Sequence, residues 1–181
     1  MPSGPIAGSL LIAHPSMLDA NFRRTVLFIT NHTEGDGAFG MILNRPTGQM
    51  AVDLLPELKM EELGGVPVFL GGPVAADRLM FAAFQWDPIE ERVTCDIHLS
   101  VERANELVTL GTAEVRAFVG YAGWSAGQLE NELRLGGWLV RSSREEILDV
   151  GQCPDLWAAV LREMGPYFRL LASVPDDPSL N

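Results

Sequence analysis

Short apolar runs alternate with turn-forming clusters along most of this chain, and their lengths decide the elements they predict. Residues 9–13 and 25–30 are strand-length runs rich in branched side chains. The second leads into Asn31-His32-Thr33-Glu34-Gly35-Asp36-Gly37, whose Asp-Gly pair marks a turn, so a hairpin returning through 38–43 is expected. Asn44-Arg45-Pro46 closes that strand because proline donates no ladder hydrogen bond, and 52–58 reads as a short helical patch broken by Pro56. Strands are expected at 66–70, 79–84 and 93–98, the last two flanking Gln85-Trp86-Asp87-Pro88. A helix over 102–110 would place Ala104, Leu107 and Val108 on one side.

A strand at 115–119, a helix at 128–133, a strand at 138–140 and a helix at 154–164 complete the pattern. Pro154 suits a first helical turn and Gly165 a helix end. Residues 166–181, with Pro175, Asp176, Asp177 and Pro178, read as a tail that ends in disorder, which sets a domain at 1–165 and a tail at 166–181. Hairpins dominate the first half, so the expected class is α+β rather than a regular parallel wind.

Composition narrows the function. A chain of 181 residues fits one domain, and at this size about 70% of the unfolded surface is buried without the help of disulfides. Its 24 acidic and 13 basic residues leave a net charge of -11, with Lys59 as the single lysine. Such a field repels polyanions, so direct nucleic-acid binding and attachment to an anionic membrane are not expected. Cys95 and Cys153 form no C-x-x-C pair, which suits a reduced cytoplasmic chain. The N-terminus lacks a basic leader region and no apolar run reaches membrane length. No cofactor is expected, and a monomer or weak dimer is.

The stretch from Gly120 to Leu133 carries the one catalytic motif, Gly123-Trp124-Ser125-Ala126-Gly127, a G-x-S-x-G between a predicted strand and a predicted helix. That context would let Ser125 act as a nucleophile, making a serine hydrolase the alternative reading. The hydrolase-fold order requires a histidine after the serine, whereas His14, His32 and His98 all precede it. The same letters also spell a helix start. Ser125 and Gln128 form a capping box, Trp124 and Leu129 a hydrophobic staple, and Glu130 and Glu132 meet the positive end of the helix dipole. The cap is the favoured reading.

Other constellations are weaker. Gly120, Gly123 and Gly127 match no phosphate-binding spacing. His32, Glu34 and Asp36, or Cys95 with His98, fall short of four ligands at an established spacing, so no metal site is expected. Arg23, Arg24, Arg45 and Arg78 could gather around an anion or simply pair with the excess carboxylates. The helix at 102–110 has no preceding helix and tight turn, so no helix-turn-helix is present.

Taken in order, Leu11-Ile12-Ala13-x-Pro15, Asp19-x-x-Phe22-Arg23-Arg24-Thr25-Val26, His32, Gly37-Ala38-Phe39-Gly40 and Asn44-Arg45-Pro46 resemble the YqgE/AlgH family. The likeness continues through Gly71-Gly72-Pro73-Val74-x-x-Asp77-Arg78, Gly120-Tyr121-Ala122-x-Trp124-x-x-Gly127-Gln128-Leu129-Glu130-x-Glu132 and Trp138-Leu139. The resemblance implies a single α+β domain whose bifurcated, mostly antiparallel sheet folds into a pseudo-barrel with flanking helices. It brings no agreed catalytic residue, and the regulator label of some bacterial members implies an indirect effect on transcription. Ser125 stands where the family does not reserve a serine, and 79–84 lacks the Leu-His ending expected after Asp77-Arg78. The function expected is therefore a non-enzymatic binding or regulatory role through a protein or small-molecule partner. A candidate ligand surface comprises Asn44, Arg45, Gly71, Gly72, Tyr121, Trp124 and Gln128, which sit at loop ends with backbone or polar groups available.

Overall fold

In the computed structural model, which describes residues 6–33, 35–57 and 59–175, the apolar runs are strands covered on both faces. Successive side chains of a strand point to opposite sides. In β1 (Ser9–Ala13), Leu10 and Ile12 enter one core while Leu11 and Ala13 enter another. β2 (Val26–Thr33) divides in the same way, Val26 and Phe28 on one side and Leu27 and Ile29 on the other. The expected hairpin joins β2 to β3 (Gly37–Ile42).

Pro46 does more than end a strand. It opens β4 (Pro46–Met50), an end strand of the sheet, where a missing backbone donor is tolerated. The helical patch becomes two single turns, α1 (Ala51–Leu54) and α2 (Glu61–Gly64), with Pro56 between them. β5 (Pro67–Leu70), β6 (Val74–Asp87), β7 (Arg92–Asp96), α3 (Val101–Leu110) and β8 (Glu114–Trp124) follow. β6 and β8 run well past the expected 79–84 and 115–119: Val74 pairs with Tyr121 beyond an irregularity that takes in Asp77 and Arg78, and β8 continues through its glycines to pair with β3.

α4 (Gln128–Arg134), β9 (Trp138–Ser142) and two 3-10 segments, Glu145–Leu148 and Val150–Asp155, lead to α5 (Leu156–Glu163) and α6 (Pro166–Ala172). One expectation is corrected here. Pro154 stays in a 3-10 segment, so the helix expected from 154 begins at Leu156. Part of the expected tail is α6, which starts with proline at its first turn and buries Ala172 against the core shared with α5. The end of that tail, 176–181, lies outside the described residues.

The sheet has nine strands in the order β4-β5-β8-β3-β2-β1-β9, with β6 and β7 branching from β8. β8 makes the branch. Its first part pairs with β5 in parallel and β6 antiparallel, while Ala122 to Trp124 switch to β3. All other pairings are antiparallel, so the α+β class and the bifurcated sheet expected above are found.

Backbone contact at the branch explains its glycines. Gly120 lies in the left-handed region at φ 69°, and a Cβ there would stand 2.4 Å from the Gly72 carbonyl oxygen. The α5–α6 hairpin covers one core, α4 the second, and α3 with the two single turns the third.

Candidate functional site

The strand-turn-helix context of Ser125 is real, but its hydroxyl has another use. β8 ends at Trp124 and α4 begins at Gln128, with Gly127 at the cap position in the left-handed conformation, φ 74°. Gln128 Oε1 accepts from the Ser125 backbone N–H at 3.1 Å and from Ser125 Oγ at 3.2 Å. The glutamine half of the expected box is formed. The serine half is not, because Gly127 occupies the cap and the Gln128 N–H donates to the Ser125 carbonyl at 3.0 Å. With Gly127 at the cap, Trp124 and Leu129 no longer hold the staple positions, although both enter one core. Since the exposed Ser125 hydroxyl satisfies no helix donor, Ser125→Ala should change stability by no more than about 0.5 kcal/mol. A urea-denaturation loss near the full cap value of ~1 kcal/mol would overturn this.

Among the described residues no histidine is hydrogen bonded to Ser125. His14 Nδ1 pairs with Ser16 Oγ at 2.7 Å, and His98 lies beside the Phe39 ring. His32 bridges two segments far apart in sequence. Its Nδ1 accepts the Ile6 N–H at 3.2 Å, so Nε2 carries the proton donated to Glu130 Oε1 at 2.7 Å. Within the cation constellation considered above, Asp36 accepts from Thr33 Oγ1 at 3.1 Å and Glu34 lies outside the described residues. The other suggested pair offers no ready thiolate, since burial holds the Cys95 thiol well above its ordinary range.

The backbone N–H of Glu130 and the His32 ring together hold the Glu130 carboxyl below the usual carboxylate range. A depressed folded value means stability that is present above the unfolded pKa and lost as pH falls through the folded one. Glu130→Gln should therefore flatten the acid limb of the stability curve below about pH 4.5, leaving a smaller loss on acidification than in the parent. Parallel acid limbs in urea titrations would count against the link.

The seven residues named from the sequence fall into three settings. Gly71, Gly72 and Tyr121 meet at the sheet branch, where Tyr121 stacks on Phe39 with ring centroids 4.5 Å apart. Trp124 and Gln128 meet around Glu132: the Trp124 indole donates to Oε2 at 2.9 Å, the Trp138 indole to the same oxygen at 2.8 Å, and Gln128 Nε2 to Oε1 at 2.9 Å. Asn44 and Arg45 brace the loop before β2. Asn44 joins Val26 N–H to the Arg24 carbonyl, and Arg45 donates to the carbonyls of Ala20, Asn21 and Arg23. Of the other arginines considered, Arg24 stacks over Trp157, 4.9 Å from the ring centroid.

Two features escaped the sequence reading. Arg116 is 1% exposed, with its guanidinium 5.4 Å from the centroids of both Phe69 and Phe84. Its Nη2 donates to the Ile147 carbonyl at 2.6 Å, and Nε lies 3.8 Å from Glu114 Oε1. Burial raises the Glu114 carboxyl, with Arg116 pulling the other way. The signal was present as a charge inside the apolar run at 115–119.

The second feature had no local signal. A cleft of about 250 Å³ opens between α5, β1, β9 and the 3-10 segments, floored by Leu10, Ile147, Leu156 and Val160. Arg116, through Ile147, holds part of that floor. Across its rim Arg144 Nη1 meets Glu163 Oε2 at 2.7 Å, and Arg141 and Glu146 also line it. None of the seven residues named from the sequence does.

Against known proteins, the AlgH-like family profile (DUF179) matches residues 10–169. The chain belongs to the AlgH-like family. A UPF0301 protein of Streptomyces coelicolor is 37% identical to it, with 97% of this chain and 95% of the relative covered. One of Mycobacterium leprae is 34% identical, with 97% and 90% covered. The solution structure of the AlgH protein from Pseudomonas aeruginosa superposes with a TM-score of 0.67 at 29% identity, covering 98% of this chain and 97% of that one. A crystal structure of a Corynebacterium diphtheriae protein gives a TM-score of 0.71 at 21% identity, covering 94% and 93%, a likeness of fold. The branched sheet and the cleft beside α5 thus sit in an AlgH-like domain that the profile matches nearly end to end.

Proposed function

We propose that this AlgH-like protein is a non-enzymatic binding protein that receives a small molecule in the cleft beside α5, and that any regulatory effect follows from that occupancy. The carrying observation is the cleft itself, with an apolar floor and charged residues at the rim. Its volume of about 250 Å³ lies below the ~300–1,000 Å³ of drug-sized pockets, which suits a small ligand. Trp157 supports the arrangement by tying α5 to β1, its indole donating to the Ala13 carbonyl at 2.9 Å. A net charge of -11 speaks against a polyanionic partner. Among the described residues no helix is long and apolar enough to cross a membrane.

A protein-observed NMR screen with small fragments tests the reading. Saturable shifts should gather on Leu10, Ile147, Leu156 and Val160, and a screen whose hits all map elsewhere would refute it. The hydrolase alternative receives its own control. Fluorophosphonate labelling that vanishes in Ser125→Ala would replace binding with catalysis, whereas no specific labelling is expected, because Ser125 Oγ bonds to Gln128 rather than to a base.

A further inference from the structure

We infer that the ligand of this cleft is a free α-amino acid with a small branched apolar side chain, held by both of its charges. The inference rests on the cleft being a small-molecule site and adds the chemistry that selects the occupant. The floor of Leu10, Ile147, Leu156 and Val160 calls for an aliphatic group. The rim calls for both signs of charge. Arg144 and Glu163 satisfy each other, but the side chains of Arg141 and Glu146 make neither a hydrogen bond nor an ion pair among the described residues.

The positions of the two free charges follow from the fold. Arg141 is the register partner of Leu10 across the β1–β9 pair, so both side chains stand on the sheet face that carries α5. Glu146 precedes Ile147 in the 3-10 turn, and the Ile147 carbonyl is fixed by the buried Arg116. One guanidinium and one carboxylate therefore flank an apolar floor, each on a backbone anchored to the core.

A carboxylate alone would answer Arg141 and leave Glu146 repelling it; an amine alone would do the reverse. A zwitterion answers both. Guanidinium offers a paired-donor fork to an α-carboxylate, and Glu146 offers acceptors to the ammonium. With Glu163 paired to Arg144, a dianion or phosphate would have only Arg141 to answer its two charges and would face the unpaired Glu146, which disfavours it.

The test titrates the full chain with L-leucine, 4-methylpentanoate, which lacks the ammonium, and 3-methylbutylamine, which lacks the carboxylate. Leucine should bind about tenfold or more tightly than either analogue, with shifts confined to the cleft. Arg141→Gln should weaken leucine and 4-methylpentanoate by about tenfold and spare the amine. Glu146→Gln should weaken leucine and the amine and spare the acid. Both side chains are exposed, so these variants should fold. Ala159→Trp, on an exposed position lining the cleft, should abolish all three.

Equal affinity for leucine and either analogue overturns the zwitterion assignment while leaving the cleft as a binding site. Fragment binding in the cleft without leucine binding does the same. Absence of saturable shifts with every compound, fragments included, overturns both.

Discussion

Gly120→Ala is expected to destabilise the fold by about 3 kcal/mol or more, lowering the melting temperature by roughly 6–12 °C. Two costs combine at this position. A residue with a Cβ pays ~1–2 kcal/mol in the left-handed region, and Gly120 lies there at φ 69°. The added methyl would also stand 2.4 Å from the Gly72 carbonyl oxygen and 2.9 Å from that of Val74, both backbone atoms that cannot turn aside. Because β8 changes partners here, relief must come from separating the two branches of the sheet. Gly111→Ala provides the control. It shares the left-handed conformation, at φ 62°, but a methyl there would meet nothing within 4 Å, so only the backbone cost of ~1–2 kcal/mol should appear. Similar losses for the two variants in urea or thermal denaturation would show that crowding at the branch is relieved without cost.

Glu132→Ala should cost about 2–3 kcal/mol and alter the intrinsic tryptophan fluorescence. The carboxylate takes three donors at once, the indoles of Trp124 and Trp138 on Oε2 and the Gln128 amide on Oε1. Truncation leaves both indole N–H groups without their acceptor. Phe22 packs against both tryptophans, with centroids 6.3 and 5.5 Å away, so the aromatic cluster would lose its fixed orientation. Glu132→Gln should be milder. Its single amide oxygen can take both indoles, while its NH₂ requires Gln128 to turn and give up its bonds to Ser125. Equal losses for alanine and glutamine would mean that charge, not acceptor geometry, holds the cluster.

These two predictions mark the boundary between what is legible in the chain and what is not. Gln128 three residues after Ser125, and Leu129 five after Trp124, are local spacings, so the turn into α4 is visible in the sequence even though Gly127 takes the cap. Glu132 reads there only as a carboxylate near a helix start. Its four-residue spacing from Gln128 places the two on one helix face, but the indole of Trp138 arrives from the next strand. The seven residues grouped as one ligand surface share loop ends, yet their contacts divide them among a sheet branch, an aromatic cluster and a braced loop. The helix α6 is hidden in the sequence because Pro166 at its start and Pro175, Asp176, Asp177 and Pro178 after it make the segment read as a tail. Packing against α5 supplies the burial that its composition conceals.

By itself, the sequence determined the α+β class, the family, most strand and helix positions and the acidic field that disfavours polyanions. Those properties depend on periodicity, ordered motifs and summed charge, which are local or additive along the chain. Only the tertiary structure decided that β8 serves three neighbours, that His32 reaches Glu130 and that Arg116 lies buried beneath Ile147. It alone assembled the cleft from Leu10, Arg141, Glu146 and α5. Contacts between residues so far apart follow from how sheet and helices pack, because burial and hydrogen bonding reward proximity in space and leave no periodic trace in the order of residues.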